Sequence, residues 1–197
     1  MENHFELIAK NIKERRTYKA QLMNGEKVSD QDVKDLLALA DTAPTHGRTE
    51  PWRFTVFTGE GLKRFCQFHA DTYWNETDED IRAQARYDLF QSFYKHASHL
   101  VVVTMKRTLG VKIPSFEEYA ACAAATQNIL LGAEAKGLAC IWNTGGKTYS
   151  DSMKKFLELG EEDQVVGLVY IGKVDEMADK SAQRRIALED KIVWHNS

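Results

Sequence analysis

Residues 115–137 read SFEEYAACAAATQNILLGAEAKG, and the residue types in this stretch point to the fold class. Ser115 and Glu118 stand at the spacing of a capping box, in which a hydroxyl and a carboxylate satisfy the first free backbone N–H groups of a helix. From Tyr119 to Glu134 the run is apolar almost all round, so the pattern predicts a helix buried on most of its sides. Its small residues let another helix approach closely, one from a partner chain included. Gly137 closes the helix. Ala139–Trp142 then has the character of a short strand that runs into Asn143-Thr-Gly-Gly146. A long buried helix leading into a strand implies a sheet with helices packed on it.

The remaining elements fit around this core. His99–Met105, HLVVVTM, is continuously apolar and β-branched, as expected of a buried central strand. Val165–Gly172 reads as a last core strand and Arg53–Thr58 as a short one. Phe5, Ile8 and Ile12 repeat at helical spacing over residues 3–14. Ser29 and Asp32 resemble a second capping box, starting a helix with Val33, Leu36, Leu37 and Ala40 on one face and Pro44 beyond its end. Further helices are expected near 60–73, over about 78–96, and from Ser150 to Leu159 with Gly160 as terminator. The tail from Lys173 to Ser197 is polar until Ile192-Val-Trp194. With no internal repeats or linkers, one α+β domain over 1–197 accounts for the chain.

The 197 residues can bury a substantial core. A formal net charge of −3 gives no general attraction to nucleic acid or to an anionic membrane. Basic residues cluster only locally, at Arg15-Arg16 and Arg184-Arg185, which suits a small anion better than a polymer. Cys66, Cys122 and Cys140 form no CxxC pair and cannot all pair within one chain, so reduced thiols in a cytoplasmic protein are expected. Neither a secretory signal nor a membrane span is expected from the pattern.

Several chemistries lack their residues. The six histidines fall at no familiar metal spacing, and no metal is expected. No G-x-S-x-G elbow is present. Gly145-Gly-Lys-Thr148 resembles the end of a phosphate-binding P-loop, but the glycine required five positions before Gly146 is Ile141. No GxGxxG fingerprint occurs either. With no nucleophile–base pair, an enzyme built on this chain would rely on a bound cofactor for the chemistry.

Ala43–Trp52, APTHGRTEPW, holds two of the three prolines. Pro44 ends a helix and Pro51 fixes its predecessor as extended, so the loop between them is held and presents His46 and Glu50 at little entropic cost. Trp52 is expected to pack in the core behind it.

Four separated segments together resemble the nitroreductase family of FMN flavoproteins, in its compact branch. Glu14-Arg-Arg-Thr-Tyr18 is similar to that family's N-terminal Arg-Arg-Ser signature. Ala43–Trp52 resembles its Ala-Pro-Ser…Gln-Pro-Trp loop. Gly137-Leu-Ala-Cys-Ile-Trp-Asn-Thr-Gly145 matches its glycine turn, strand and small polar loop. Arg184-Arg-Ile-Ala-Leu188 with Ile192-Val193 is similar to its C-terminal Arg-x-Pro-Leu segment.

The resemblance implies an α+β sandwich in which helices surround a central mixed sheet. It implies a homodimer with FMN at the subunit interface and termini wrapping the partner. NADH or NADPH would reduce the flavin, and a nitroaromatic, quinone or similar small acceptor would then take the electrons in a ping-pong cycle. No protein residue need act as catalyst, because the flavin carries the chemistry. The alternative is a flavin-handling or non-catalytic FMN-binding protein.

In this reading a guanidinium fork matches the FMN phosphate, and Arg15 and Arg185 are the candidates, with Arg184 beside them. Arg16 and Thr17 would reach the ribityl chain or the pyrimidine edge. Trp142, Asn143 and Thr144 offer backbone N–H groups and short polar side chains beside the ring, and His46 and Glu50 face it from the loop. Two departures stand out: Glu50 replaces the usual Gln and accepts hydrogen bonds without donating when ionised, and His46 stands where Ser or Asn is common. Tyr73, Trp74, Tyr87, Phe90, Phe93 and Tyr94, between about 70 and 96, are candidates for a substrate-side cover.

Overall fold

The computed structural model describes residues 3–177 and 184–195. Four strands, β1 (Trp52–Thr58), β2 (His99–Met105), β3 (Ala139–Asn143) and β4 (Gln164–Gly172), form a sheet in the order β1-β2-β4-β3. Six α-helices accompany them: α1 (His4–Glu14), α2 (Asp30–Ala40), α3 (Gly59–Asn75), α4 (Gln84–Ser92), α5 (Ser115–Ala135) and α6 (Asp151–Phe156).

The α+β class is as expected, but the expected mixed sheet is antiparallel in all three described pairings. The connections explain why. α3 and α4 pack on one another as an out-and-back pair that returns the chain to the end of the sheet it left, so β2 runs back along β1. α5 crosses the full length of the sheet and starts β3 in the direction of β2, yet β4 lies between them and opposes both.

Helices cover both faces, which is why β2 is buried along its whole length. On one face Val33, Leu36 and Ala40 of α2, with Cys122, Ala125 and Ile129 of α5, pack on Val101, Val103 and Ile171. On the other, Leu62, Phe65 and Cys66 of α3 and Met153 of α6 pack on Leu100, Val102, Leu168 and Tyr170. The β2–β4 register slips at Val103/Thr104. Beside this irregularity the Trp142 indole lies flat across Gly167, where an added Cβ would sit 2.0 Å from Nε1, and it donates to the Val166 carbonyl at 3.1 Å.

Local signals met different fates. Ser29 Oγ accepts from the Asp32 N–H at 3.0 Å and Ser150 Oγ from the Met153 N–H at 3.2 Å, as caps should. The Ser115 box does not form: Pro114 occupies the cap position without a side-chain bond, and Glu118 turns inward to pair with Arg107. α6 stops at Phe156, and the left-handed residue after it is Glu158 (φ 55°), not Gly160. The stretch expected to be helical over 78–96 is helical only from Gln84, with a 3-10 turn at Phe93–Lys95. The Tyr73 hydroxyl accepts the Ala83 N–H there (3.0 Å) and holds the turn before α4.

Candidate functional site

After α1 the chain runs in extended form along β3, where the Tyr18 N–H donates to the Cys140 carbonyl at 3.1 Å. Tyr18 and Ala20 face inward and are buried, while Thr17 and Lys19 face outward. This period of two places Thr17 and Lys19 on one side of the segment, and a 3-10 turn over Ala20–Leu22 follows it. Beneath lies a cavity of about 250 Å³ walled by Lys19, Gln21, Asn143, Gly145, Phe90 and Tyr170, among others. Lys19 and Gln21 escaped the sequence reading: Lys19 alternates with buried Tyr18 and Ala20, whereas Gln21 reaches the cavity from the 3-10 turn.

Arg16 is half-buried at the start of this segment. Its Nη1 donates to the carbonyls of Lys13 (2.7 Å) and Arg15 (2.8 Å), while Nε and Nη2 are buried with no partner among the described residues. Those two N–H groups form the side-on fork of a guanidinium, the geometry that grips two oxygens of a phosphate or carboxylate. Arg15, also half-buried, has a long contact from Nη1 to Thr17 Oγ1 at 3.4 Å. Burial pushes the neighbouring Cys140 thiol up to about 12, so it stays protonated and inert.

At the end of β3 the Asn143 Oδ1 accepts the Gly145 N–H at 3.0 Å, and the Thr148 hydroxyl donates to the Gly145 carbonyl at 2.8 Å. The turn is thus pinned, with Thr144 exposed. Strand alternation directs Ile141 and Asn143 toward the cavity, whereas the Trp142 side chain packs on the opposite face with the α2/α5 cluster. The Trp142 ring therefore does not wall the cavity.

The loop from Asp41 to Pro51 is held, as its prolines suggested. Thr45 and Thr49 hydroxyls meet at 2.9 Å, Trp52 Nε1 donates to Asp41 Oδ1 at 2.8 Å, and Arg53 Nη1 donates to the Glu50 carbonyl at 2.8 Å. Arg48 and Glu50 adopt positive φ (56° and 43°), a conformation costly for side-chain-bearing residues. His46 Nδ1 contacts Glu117 Oε2 at 2.6 Å, tying the loop to the first turn of α5. Trp52 is buried in the core, as expected. The Glu50 side chain is exposed and makes no ion pair among the described residues. It borders a separate hollow with Asp41, Thr49 and Arg53.

Within one chain these groups remain apart. The cavity beside β3 shares no wall with the hollow at Glu50. Arg184 and Arg185 are exposed, with no hydrogen bond or ion pair among the described residues. Of the aromatic residues considered for a cover, Tyr73, Phe90 and Phe93 are core. Trp74 and Tyr87 meet edge to face at 5.8 Å, and the Tyr87 hydroxyl donates to Asp71 at 2.9 Å. Among the described residues no cluster of three metal-ligating side chains occurs and no helix is long and apolar enough to cross a membrane.

The profile of the nitroreductase family matches residues 12–173. The chain belongs to the nitroreductase family. A relative in Escherichia coli (strain K12) named "Putative NAD(P)H nitroreductase YdjA" is 27% identical over 143 residues, 72% of this chain and 75% of the relative. Among solved structures, a nitroreductase-like family protein from Bacillus cereus superposes with a TM-score of 0.80 at 29% identity, covering 96% of both chains. A variant of the FMN- and NADPH-dependent nitroreductase NfnB from Sphigopyxis sp. strain HMH shares the fold, with a TM-score of 0.74 at 20% identity over 96% of this chain and 99% of that one. The matched span of this nitroreductase-family chain runs from the end of α1 to just past β4, and so contains the Arg16 fork, the Asp41–Pro51 loop and the β3 turn.

Proposed function

We propose that this chain is an FMN-dependent oxidoreductase that draws electrons from NADH or NADPH and passes them to a small acceptor such as a nitroaromatic or quinone. The observation that carries this reading is the buried Nε/Nη2 fork of Arg16, unpaired among the described residues, at the start of the segment that runs along β3. A buried cation with two unpaired donors is costly unless an anion completes it, and a phosphate-bearing flavin supplies one. The fit extends along the segment. Arg15 and Arg16, with Arg184 and Arg185 from the tail, would hold the phosphate. Thr17, Lys19 and Gln21 would meet the ribityl chain and pyrimidine edge, and Asn143 and Thr144, with the Trp142 backbone, would lie beside the ring. When bound, FMN supplies the electron transfer in a ping-pong cycle.

The separation of the loop from this cavity within one chain supports a homodimer in which His46 and Glu50 of one subunit face the flavin held by the other. α1 buries none of its own side chains, and Phe5, Ile8 and Ile12 are more than half exposed. They adjoin an apolar groove of about 860 Å³ between α1, α2 and α5, lined in part by Leu7, Leu39 and Leu131. Ile186, Leu188, Val193 and Trp194 are exposed in the tail. Apolar surface of this extent is what a second subunit covers. The chain is read as one domain over 1–197, and its three buried free thiols suit the reducing cytoplasm.

The purified protein should be yellow. Its flavin absorbance should bleach anaerobically with NADH or NADPH and return when a nitro compound or quinone is added. FMN retained without acceptor-dependent turnover indicates a flavin-handling protein instead, and absence of bleaching with either donor rejects the oxidoreductase.

A further inference from the structure

His69, on α3, lies directly behind the β3 turn and is fully buried. Its ring stacks on Phe90, one of the cavity walls, with centroids 4.8 Å apart and planes 24° from parallel. Nε2 points at the turn: a Cβ added to Gly146 would sit 2.5 Å from it, and Gly146 also needs a positive φ of 72°. Among the described residues neither ring nitrogen has a hydrogen-bond partner, although the Gly145 carbonyl comes near. Burial lowers the imidazole pKa to about 4, so at neutral pH one nitrogen carries a proton and the other a lone pair. A buried imidazole left so is unfavourable, and such a group fits a second arrangement in which it is paired. Asn143 and Gly145 of the same turn border the cavity.

We infer that His69 is a positioning residue for the Asn143–Gly146 turn, donating from Nε2–H to a turn carbonyl once a ligand packs against the cavity side, and so selecting the backbone conformation that holds the flavin. The inference rests on the FMN reading. The Gly145 carbonyl suits the role because it has a second lone pair beside the one taken by Thr148. His69 touches no cofactor in this scheme and acts only through the turn.

Two measurements test it. In ring-resolved 1H–15N spectra of the full chain, addition of FMN should shift the His69 Nε2 signal to that of a hydrogen-bonded donor. His69→Phe keeps the stack on Phe90 and removes the donor, so it should weaken FMN binding about tenfold, the worth of one such bond. His69→Gln, which restores an N–H, should recover most of that loss. Unchanged His69 ring signals at FMN saturation, or His69→Phe binding FMN within twofold of wild type, overturn the inference while leaving the cofactor reading intact. Wild-type protein that binds no FMN overturns both. Should His69→Phe fail to fold, the wild-type spectra still decide.

Discussion

Arg16 shows how a single side chain constrains the function. With Nη1 occupied by two carbonyls and the side-on fork unpaired, Arg16→Ala should weaken FMN binding at least tenfold, measured by quenching of flavin fluorescence, because a charge-assisted bond contributes about 1.5–3 kcal/mol. Arg16→Lys should not restore it, since an ammonium has no fork. A second residue-scale case is the pair formed by Arg107 and Glu118, both largely buried. Burial opposes ionisation of Glu118, but hydrogen bonds from Thr108 and Arg107 and the charge of Arg107 outweigh it and hold the carboxyl below the usual range. Its folded pKa is therefore below the unfolded one, so the stabilisation is complete above the unfolded value near 4.5 and is lost as pH falls through the folded value. Glu118→Gln should destabilise the protein by about 3 kcal/mol at pH 7, and denaturant titrations should show the gap to wild type narrowing below about pH 4.5. At Gly167 the crossing indole leaves no room for a side chain, so Gly167→Ala should lower stability by about 1–3 kcal/mol, read from the denaturation midpoint.

At the scale of elements, α1 is the least self-sufficient. Phe5, Ile8 and Ile12 stay more than half exposed among the described residues, so the homodimer reading makes it an interface helix. Ile8→Glu should convert the dimer to monomer in sedimentation velocity and release FMN in the same sample. A monomer that still held FMN would uncouple the two. Elements were legible where one physical signal dominated: β2 and α5 are apolar because both faces of the sheet are covered, and Ser29 and Ser150 cap their helices. They were misread where a distant partner intervened. Arg107 draws Glu118 away from the start of α5, and the Tyr73 hydroxyl and the turn before Gln84 shorten the helix expected over 78–96. Where the Trp142 ring packs depends on a bare glycine in another strand, 25 positions on.

At the scale of the whole molecule, ligand and partner enter the stability of the fold together. FMN at 100 times its Kd should add about 2.7 kcal/mol, by mass action, seen as a rise in Tm that is lost on removing the flavin. Tm should also rise with protein concentration if the folded unit is a dimer. A Tm indifferent to both would argue against an interfacial flavin. The same scale explains the sheet. Its antiparallel order follows from where each connection returns the chain and from β4 inserting beside β2, and neither is written in the strands themselves.

Taken by itself, the sequence determined most of the helix and strand segments, which faces are apolar, and where the arginines, the held loop and the glycine turn lie, because these follow from local periodicity and backbone chemistry. Only the tertiary structure decided that the Arg16 fork is unpaired among the described residues, that Lys19 and Gln21 line the cavity, and that His69 backs the turn while Trp142 faces away. Those facts depend on contacts between residues far apart in the chain, and local preference carries no information about which distant group will arrive.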